Sequence, residues 1–429
     1  MEERAKDIIE HKCPNCGATI QFDIGSQKVL CGFCGSSFDP TDMLEEDRGL
    51  SLNEEDIRLP TNGGEQWSEE DASNLSEYTC NSCGGSIYTE STTSATMCPF
   101  CGNAVILRGR LSGALMPDKV IPFKQTKEMA LESLDRHCFK KPFVPKGFKE
   151  NNSLDEVKGV YVPFWVYDAR IDADISFTGV KERLLIPGKN SDVVERRYYR
   201  VSRRGSIAFD HVPADGSSKM PDDLMESLEP FDYSEAYDFR TAYLSGYVAD
   251  KYDVPQEDMA GRVRKRMSDE TEKRFKETVE GFNDVYLRDS KIDTAESNVD
   301  YVLYPVWLFK LKWEDRDYTF AMNGQTGKMV GDLPVEKVKL SAVTVAVFLI
   351  SMVCAWLTGS GELRGDELAN FMGVAFVISL ILASAVYYHF HSKLISVGFQ
   401  EGSGDYYREG SFSVEHTEEE FLYRKIETR

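Results

Sequence analysis

The feature that most constrains this chain is a set of four CxxC pairs: Cys13/Cys16, Cys31/Cys34, Cys80/Cys83 and Cys98/Cys101. They form two CxxC-x14-CxxC units that repeat one another. Cys13-Pro-Asn-Cys16-Gly-Ala-Thr-Ile20 matches Cys80-Asn-Ser-Cys83-Gly-Gly-Ser-Ile87 at an offset of 67, and the same offset carries Cys31, Cys34 and Gly35 onto Cys98, Cys101 and Gly102. A two-residue gap lets one tight turn aim both sulfurs at a single ion, so each unit predicts a tetrahedral four-thiolate site suited to Zn²⁺. Glycine follows Cys16, Cys34, Cys83 and Cys101, where such a knuckle needs a positive φ. Rubredoxin-type iron is the main rival occupant. A dithiol redox role fits less well, because four pairs would be redundant. Each site is closed, with no spare ligand position, which predicts two structural ions rather than catalytic ones. A module of about 26 residues cannot bury enough surface alone, so the metal would supply folding free energy on the order of 10 kcal/mol.

Paired cysteines of this kind indicate a reducing compartment rather than a disulfide framework. The opening segment MEERAKDIIEHK has no apolar core, so no signal peptide is expected. The net charge of −21 over 429 residues argues against broad binding to nucleic acid. Its distribution is uneven. Residues 41–77 hold twelve acidic and two basic residues, and their lack of apolar periodicity predicts a loose acidic linker between the two modules. Each module carries only +1: Lys12 and Lys28 against Asp23, and Arg108 and Arg110 against Glu90. That is too little for a phosphate-binding footprint.

From 113 to 336 strand-like and helix-like segments alternate. Val120–Phe123 and Val160–Tyr167 read as strands, and Asp172–Thr178 alternates as a half-buried partner strand would. Thr126–Phe139 reads as a helix burying Met129, Leu131, Leu134 and Cys138, and Pro221–Leu228 and Gln256–Phe282 are also helical. A weaker repeat relates Pro163-Phe-Trp165-Val-Tyr167 to Pro305-Val-Trp307-Leu-Phe309, which predicts two related β-hairpin units separated by helices. Proline inside both strands favours edge or strand-start positions.

Leu340–Gly361 and Leu368–Tyr388 carry no formal charge, and each is long enough as a helix to cross a hydrocarbon core of ~30 Å. The short charged loop with Glu362, Arg364, Asp366 and Glu367 makes them an antiparallel hairpin. Lys328, Lys337, Lys339, Lys393 and Arg408 flank the pair while the loop has one arginine, so the positive-inside rule expects both termini in the cytoplasm.

Catalytic motifs are thin, and no enzyme is expected. Asn323-Gly-Gln-Thr-Gly-Lys328 has two residues between its glycines where a phosphate loop needs four, so it reads as a hairpin turn. Tyr233, Glu235, Tyr237, Asp238 and Arg240 form a polar-aromatic cluster without a nucleophile and read as packing. Cys138 reads as a core thiol and Cys354 as a membrane-helix thiol. Ser411–Val414 and Phe421–Ile426 are strand-like, which predicts a tail hairpin folded back onto the cytoplasmic domain.

Beyond the cysteines, the chain resembles bacterial membrane proteins described as TFIIB-type zinc-ribbon-containing, some of them labelled as the primosomal helicase PriA. The stretches that carry the resemblance are the doubled cysteine units, Pro163–Ala169, Gly216–Phe231, Tyr243–Asp253, Asn323–Pro334, the two-span hairpin and Phe421–Arg424. The chain departs from any helicase, having neither a P-loop nor a DExH-type box. The resemblance implies partners such as phage-shock-protein-A-like or SPFH-like envelope-stress proteins, and assigns no catalytic residues. The expected organisation is a multidomain chain: zinc ribbons at 1–40 and 78–112, a linker at 41–77, a cytoplasmic α+β domain at 113–336, a two-helix transmembrane hairpin at 337–393 and a cytoplasmic tail at 394–429. The expected function is a membrane-anchored adaptor or scaffold for protein partners. A nucleic-acid-binding or transcription-linked membrane protein is the alternative.

Overall fold

The structure, a computed structural model, describes residues 13, 15–16, 18, 21–23, 28–38, 57–73, 75–90, 97–110, 114–139, 141–150, 153–187, 193–244, 246–314, 316–362, 364–394, 397 and 403–428. The first cysteine unit forms its own antiparallel sheet of β1 (Gln21–Asp23), β2 (Lys28–Leu30) and β3 (Ser37–Phe38). After α1 (Glu69–Ser73), the second unit supplies β4 (Leu75–Cys80), β5 (Ser86–Glu90) and β6 (Val105–Arg110). β7 (Lys119–Val120), α2 (Lys127–Phe139) and α3 (Lys146–Glu150) lead into β8 (Ser153–Ile186), which turns back as β9 (Val193–Asp215). α4 (Asp222–Ser227), β10 (Tyr237–Asp238), β11 (Val248–Asp250) and α5 (Gln256–Glu277) precede β12 (Asp284–Trp313), followed by β13 (Arg316–Asn323) and β14 (Met329–Val330). Two long helices, α6 (Lys337–Glu362) and α7 (Asp366–Ser392), separate this body from the last strand, β15 (Ser413–Thr428).

The body is organised on the antiparallel ladder between β8 and β12, which runs from Ser153↔Lys312 to Val180↔Asp284. Sequence explains how one strand serves two environments. Between Val160 and Tyr167 both alternating sets are apolar and both faces are buried. Beyond it only one set continues, through Ala169, Ile171, Ala173, Ile175 and Phe177, while Asp168, Arg170, Asp172 and Asp174 take the other face. Asp172–Thr178 is therefore not a separate partner strand. It is the half-buried continuation of Val160–Tyr167, and β9 is the partner. The far half of the sheet is an arm of antiparallel strands in the order β15, β9, β8, β12.

Pro163 and Pro305 lie inside interior strands, contrary to the edge placement expected of proline. Each sits at a gap where the neighbouring strand changes. Beside β8, the parallel partner β11 pairs with Val160 and Tyr161, and β9 takes over at Phe164. Beside β12, the parallel partner β7 pairs with Val302 and Leu303, and β13 takes over at Val306. No ladder donor is needed at the gap, and both proline carbonyls are still used: Gly216 N–H donates to Pro163 O and Gly324 N–H to Pro305 O, each at 2.8 Å. The β8–β9 and β12–β13 hairpins thus share one design, as their sequence likeness suggested. Their parallel strands are exchanged: β7 precedes β8 but pairs with β12, and β11 precedes β12 but pairs with β8.

The second half of the acidic stretch 41–77 is packed rather than loose. Ile57 and Leu75 are buried in the main core. Gly63 exchanges hydrogen bonds with the Gln256 side chain at 3.1 and 2.9 Å, and Arg58 N–H donates to Thr294 Oγ1 at 3.0 Å. Residues 41–56 lie outside the described residues. The boundary between 78–112 and 113–336 is also bridged by sheet, since β11 pairs with β5 through Ala249↔Tyr88 and Asp250↔Ile87. In α2 the buried stripe is Ala130, Leu134 and Cys138, and Met129 faces outward. The tail folds back as expected, but as the single strand β15 along β9 rather than as a hairpin. Asn323–Lys328 is the expected turn, with Asn323 Oδ1 accepting the Gln325 and Thr326 N–H groups at 2.9 Å.

The tail also reaches a buried ion pair of the body through the Tyr406 hydroxyl. Arg266 of α5 donates to Glu229 Oε2 at 2.8 Å and to Pro213 O at 2.9 Å, and the Tyr406 hydroxyl donates to the same Glu229 oxygen at 2.8 Å. Arg266→Ala should cost about 3–5 kcal/mol, because it leaves Glu229 buried without its counter-charge; chemical denaturation measures it. Truncation before Ser413 should speed amide exchange at those N–H groups of 193–206 that point to β15, while those that point to β8 stay protected, measured by hydrogen–deuterium mass spectrometry. Unchanged protection of the former would contradict the β9–β15 pairing.

Candidate metal centres

In each cysteine unit two knuckles face one another. In the first, Cys13 Sγ lies 3.6 Å from Cys34 Sγ, and Cys16 Sγ 3.5 Å from Cys31 Sγ. In the second, Cys80 and Cys101 are 3.4 Å apart, and Cys83 and Cys98 3.6 Å. These separations far exceed a disulfide bond of ~2.05 Å. They approach the edge of about 3.8 Å expected for a tetrahedron with metal–sulfur bonds of about 2.3 Å. All eight predicted ligands are thus gathered into two groups, each able to hold one metal ion.

Local backbone structure makes the knuckles. Cys31, Cys80 and Cys98 carbonyls accept the N–H of Gly35, Gly84 and Gly102 at 2.9–3.0 Å, and those glycines have φ of 72°, 73° and 75°. That left-handed conformation is what the sequence required of them. Gly17, the fourth of the set, lies outside the described residues. Hydrogen bonds also ready one outer thiol of each unit, Cys34 and Cys101, for deprotonation. The Ser36 hydroxyl, 3.1 Å away, is first among the groups that draw Cys34 down to about 6. Against the upward push of burial, the Asn103 backbone and amide draw Cys101 to about 6. Burial moves Cys13 and Cys83 the other way.

The two centres differ in their attachment. The second is built into the large sheet: β4 pairs with both β5 and β6, β5 pairs with β11, and Lys158 Nζ donates to Met97 O at 2.9 Å. The first rests on the tail strand, where Arg424 N–H donates to Asn15 Oδ1 at 3.3 Å and Tyr423 packs against Cys13 and Cys31.

Among the other predicted positions, Cys138 is a buried core thiol and Cys354 is exposed on α6. The polar-aromatic cluster splits. Glu235 pairs with Lys124 and Gln325, and Asp238 with Lys119. Tyr233 stacks on His211 at 3.8 Å between centroids and donates to Asp300 Oδ2 at 2.5 Å. His211, with φ 60°, donates its N–H to Asp168 Oδ1 at 2.7 Å. No spacing rule could have found this group, since its members come from four distant segments. A cleft of about 770 Å³ opens where Trp313 and Tyr318 meet Lys337 and His391. The helices α6 and α7 are long and apolar enough to cross a membrane.

Cys80→Ser should halve the metal content and lower the melting temperature by on the order of 5 °C, because the second centre anchors sheet strands. Cys13→Ser should also halve the metal content while leaving the melting of the body nearly unchanged. Elemental analysis and differential scanning calorimetry test both. Acidification from about pH 7 to about pH 4 should release metal, since protons compete for the thiolates and the metal-bound form is favoured only above their titration.

No protein-family description matches the chain, and no solved structure matches it. The chain is 35% identical over 358 residues to the uncharacterized protein YdjG of Bacillus subtilis (strain 168), a match covering 82% of this chain and 99% of YdjG. Identity at that level along nearly the whole of the relative places the chain in one family with it: the protein belongs to the YdjG family.

Proposed function

We propose that this protein is a membrane-anchored, zinc-dependent adaptor that presents its cysteine modules and β-arm to protein partners in the cytoplasm. The observation that carries the reading is where apolar side chains are exposed away from the two long helices. In the first module Phe33 is 83% exposed, and in the second Ile106 and Leu107 face solvent. At the tip of the β8–β9 hairpin Leu184, Leu185 and Ile186 are exposed, with Ile426 of β15 on the neighbouring ladder. Exposed apolar groups of this kind, set in polar surroundings, are the usual mark of protein contact. Zinc is the favoured ion because four thiolates in a closed tetrahedral set suit it.

An antiparallel α6–α7 pair would span the bilayer, and the pairing of β15 with β9 supports placing both flanks on one side. Lysine-rich flanks favour the cytoplasmic side, and reduced cysteines agree with it. Envelope-stress proteins of the phage-shock-A-like or SPFH-like kinds, which the family resemblance implies, are the partners to test first. The basic side chains of the arm do not favour nucleic acid: Arg196, Arg200, Arg203 and Arg204 face Glu182, Glu420, Glu419 and Asp174.

Crosslinking and affinity recovery from native membranes should yield one or more protein partners, with recovery reduced at least about tenfold in a Phe33→Ser/Ile186→Ser double variant. That loss corresponds to about 1.4 kcal/mol of contact energy or more. Recovery unaffected by these substitutions and by zinc chelation would overturn the adaptor reading. Saturable, salt-dependent binding of RNA or DNA would replace it with the nucleic-acid alternative.

A further inference from the structure

Two of the family-resembling stretches, Gly216–Phe231 and Tyr243–Asp253, meet where β9 and β11 end, around the side chains of Asp215, Ser217 and Asp250. Ser217 is the hub. Its N–H donates to Asp215 Oδ1 at 3.0 Å, and its hydroxyl donates to Asp250 Oδ2. Each carboxylate therefore has one oxygen satisfied by the same residue. The other oxygens, Asp215 Oδ2 and Asp250 Oδ1, are buried with no hydrogen-bond partner. Asp215 is 3% exposed and Asp250 0%. Neighbouring cations are engaged elsewhere: Lys219 Nζ lies 2.7 Å from Asp253 Oδ2, and Arg262 binds Asp222 and Glu226. Two carboxylates buried side by side, each with an open oxygen, are among the costliest arrangements a protein interior can hold unless a positive charge sits between them.

We propose that Asp215 and Asp250 hold one oxygen-ligated divalent cation of the Mg²⁺ or Ca²⁺ class, with Ser217 as the residue that positions both carboxylates. Two negative charges match one divalent ion, and hard cations take carboxylate oxygens in preference to thiolates. Burial drives both carboxyls upward, Asp250 to about 8, against the downward pull of Lys219 on Asp250 and of Arg262 on Asp215. The consequence reaches the second cysteine module. Asp250 ends β11 and pairs across to Ile87 of β5, while Asp215 ends β9. A shared ion would fasten the base of the arm to the strand that carries the metal module. Lys251, next in sequence, adds a salt bridge to Glu77 of β4 at 3.1 Å.

The test uses the full chain in detergent micelles and metal-depleted buffer that leaves the cysteine-bound metal in place. Elemental analysis for Mg and Ca is combined with a Mn²⁺ titration followed by electron paramagnetic resonance. The expected result is one co-purified Mg²⁺ or Ca²⁺ per chain, or uptake of one Mn²⁺ that Mg²⁺ or Ca²⁺ displaces. Asp215→Asn and Asp250→Asn should weaken Mn²⁺ binding at least tenfold, and Ser217→Ala by several-fold, with the metal content of the cysteine sites unchanged. Should either Asn variant fail to fold, the wild-type measurement and Ser217→Ala decide. Absence of both co-purified ion and saturable Mn²⁺ binding overturns the proposal, as does binding that all variants retain. Asn variants that melt higher than wild type, with no ion in either, would overturn it in favour of a shared proton.

Discussion

Everything else in the body depends on the antiparallel ladder between β8 and β12. Its length is what allows one sheet to be both a core and an arm. Near Val160–Tyr167 helices and neighbouring strands cover both faces, and beyond Asp168 polar residues release one face to solvent. A strand of 34 residues would extend about 110 Å if straight. The register shifts at Tyr167/Ala169, Thr294/Glu296 and Leu287/Asp289 break that regularity along the arm. Such shifts bend the strand that carries them and increase its twist. The prolines complete the device, since each marks the point where a short parallel neighbour gives way to a long antiparallel one.

What the sequence could disclose follows from the range of the interactions involved. Cysteine spacing is local chemistry, and all eight cysteines converge in two groups of four as their spacing requires. The two apolar helices and the turn at Asn323–Lys328 are equally local. The strand-like character of Val160–Tyr167, Asp172–Thr178 and Phe421–Ile426 was legible, but not that the first two are one strand or that the third lies along β9. Alternation reports a face and not a partner. Charge misled at 57–77, where Glu65 and Glu69 face outward and Glu77 is paired with Lys251, while Ile57 and Leu75 anchor the segment in the core. The Asp215–Ser217–Asp250 group was invisible for the same reason. Its acids are separated by 34 intervening residues and are brought together only when β9 and β11 line up along β8.

The duplicated cysteine units have diverged in mechanical role despite nearly identical knuckles. Strands of the second belong to the large sheet, so its metal would be coupled to the stability of the body. The first touches the tail through Asn15 and Tyr423, and its own sheet pairs only with itself among the described residues. One repeat has become a structural corner and the other a peripheral attachment. That division suits the proposed adaptor role, in which one module would fix geometry while the other would remain available to a partner.

The position of β15 in the chain gives the sheet a built-in order of completion. Until β15 is made, β9 presents an open edge over Val193–Ser206, a liability for pairing with other chains. The strand that closes this edge is synthesised only after both long apolar helices. A chain stalled or cut within those helices would therefore display an unclosed edge beside a large exposed apolar surface. Pairing of β15 along β9 thus ties closure of this edge to a segment that follows both helices in the chain.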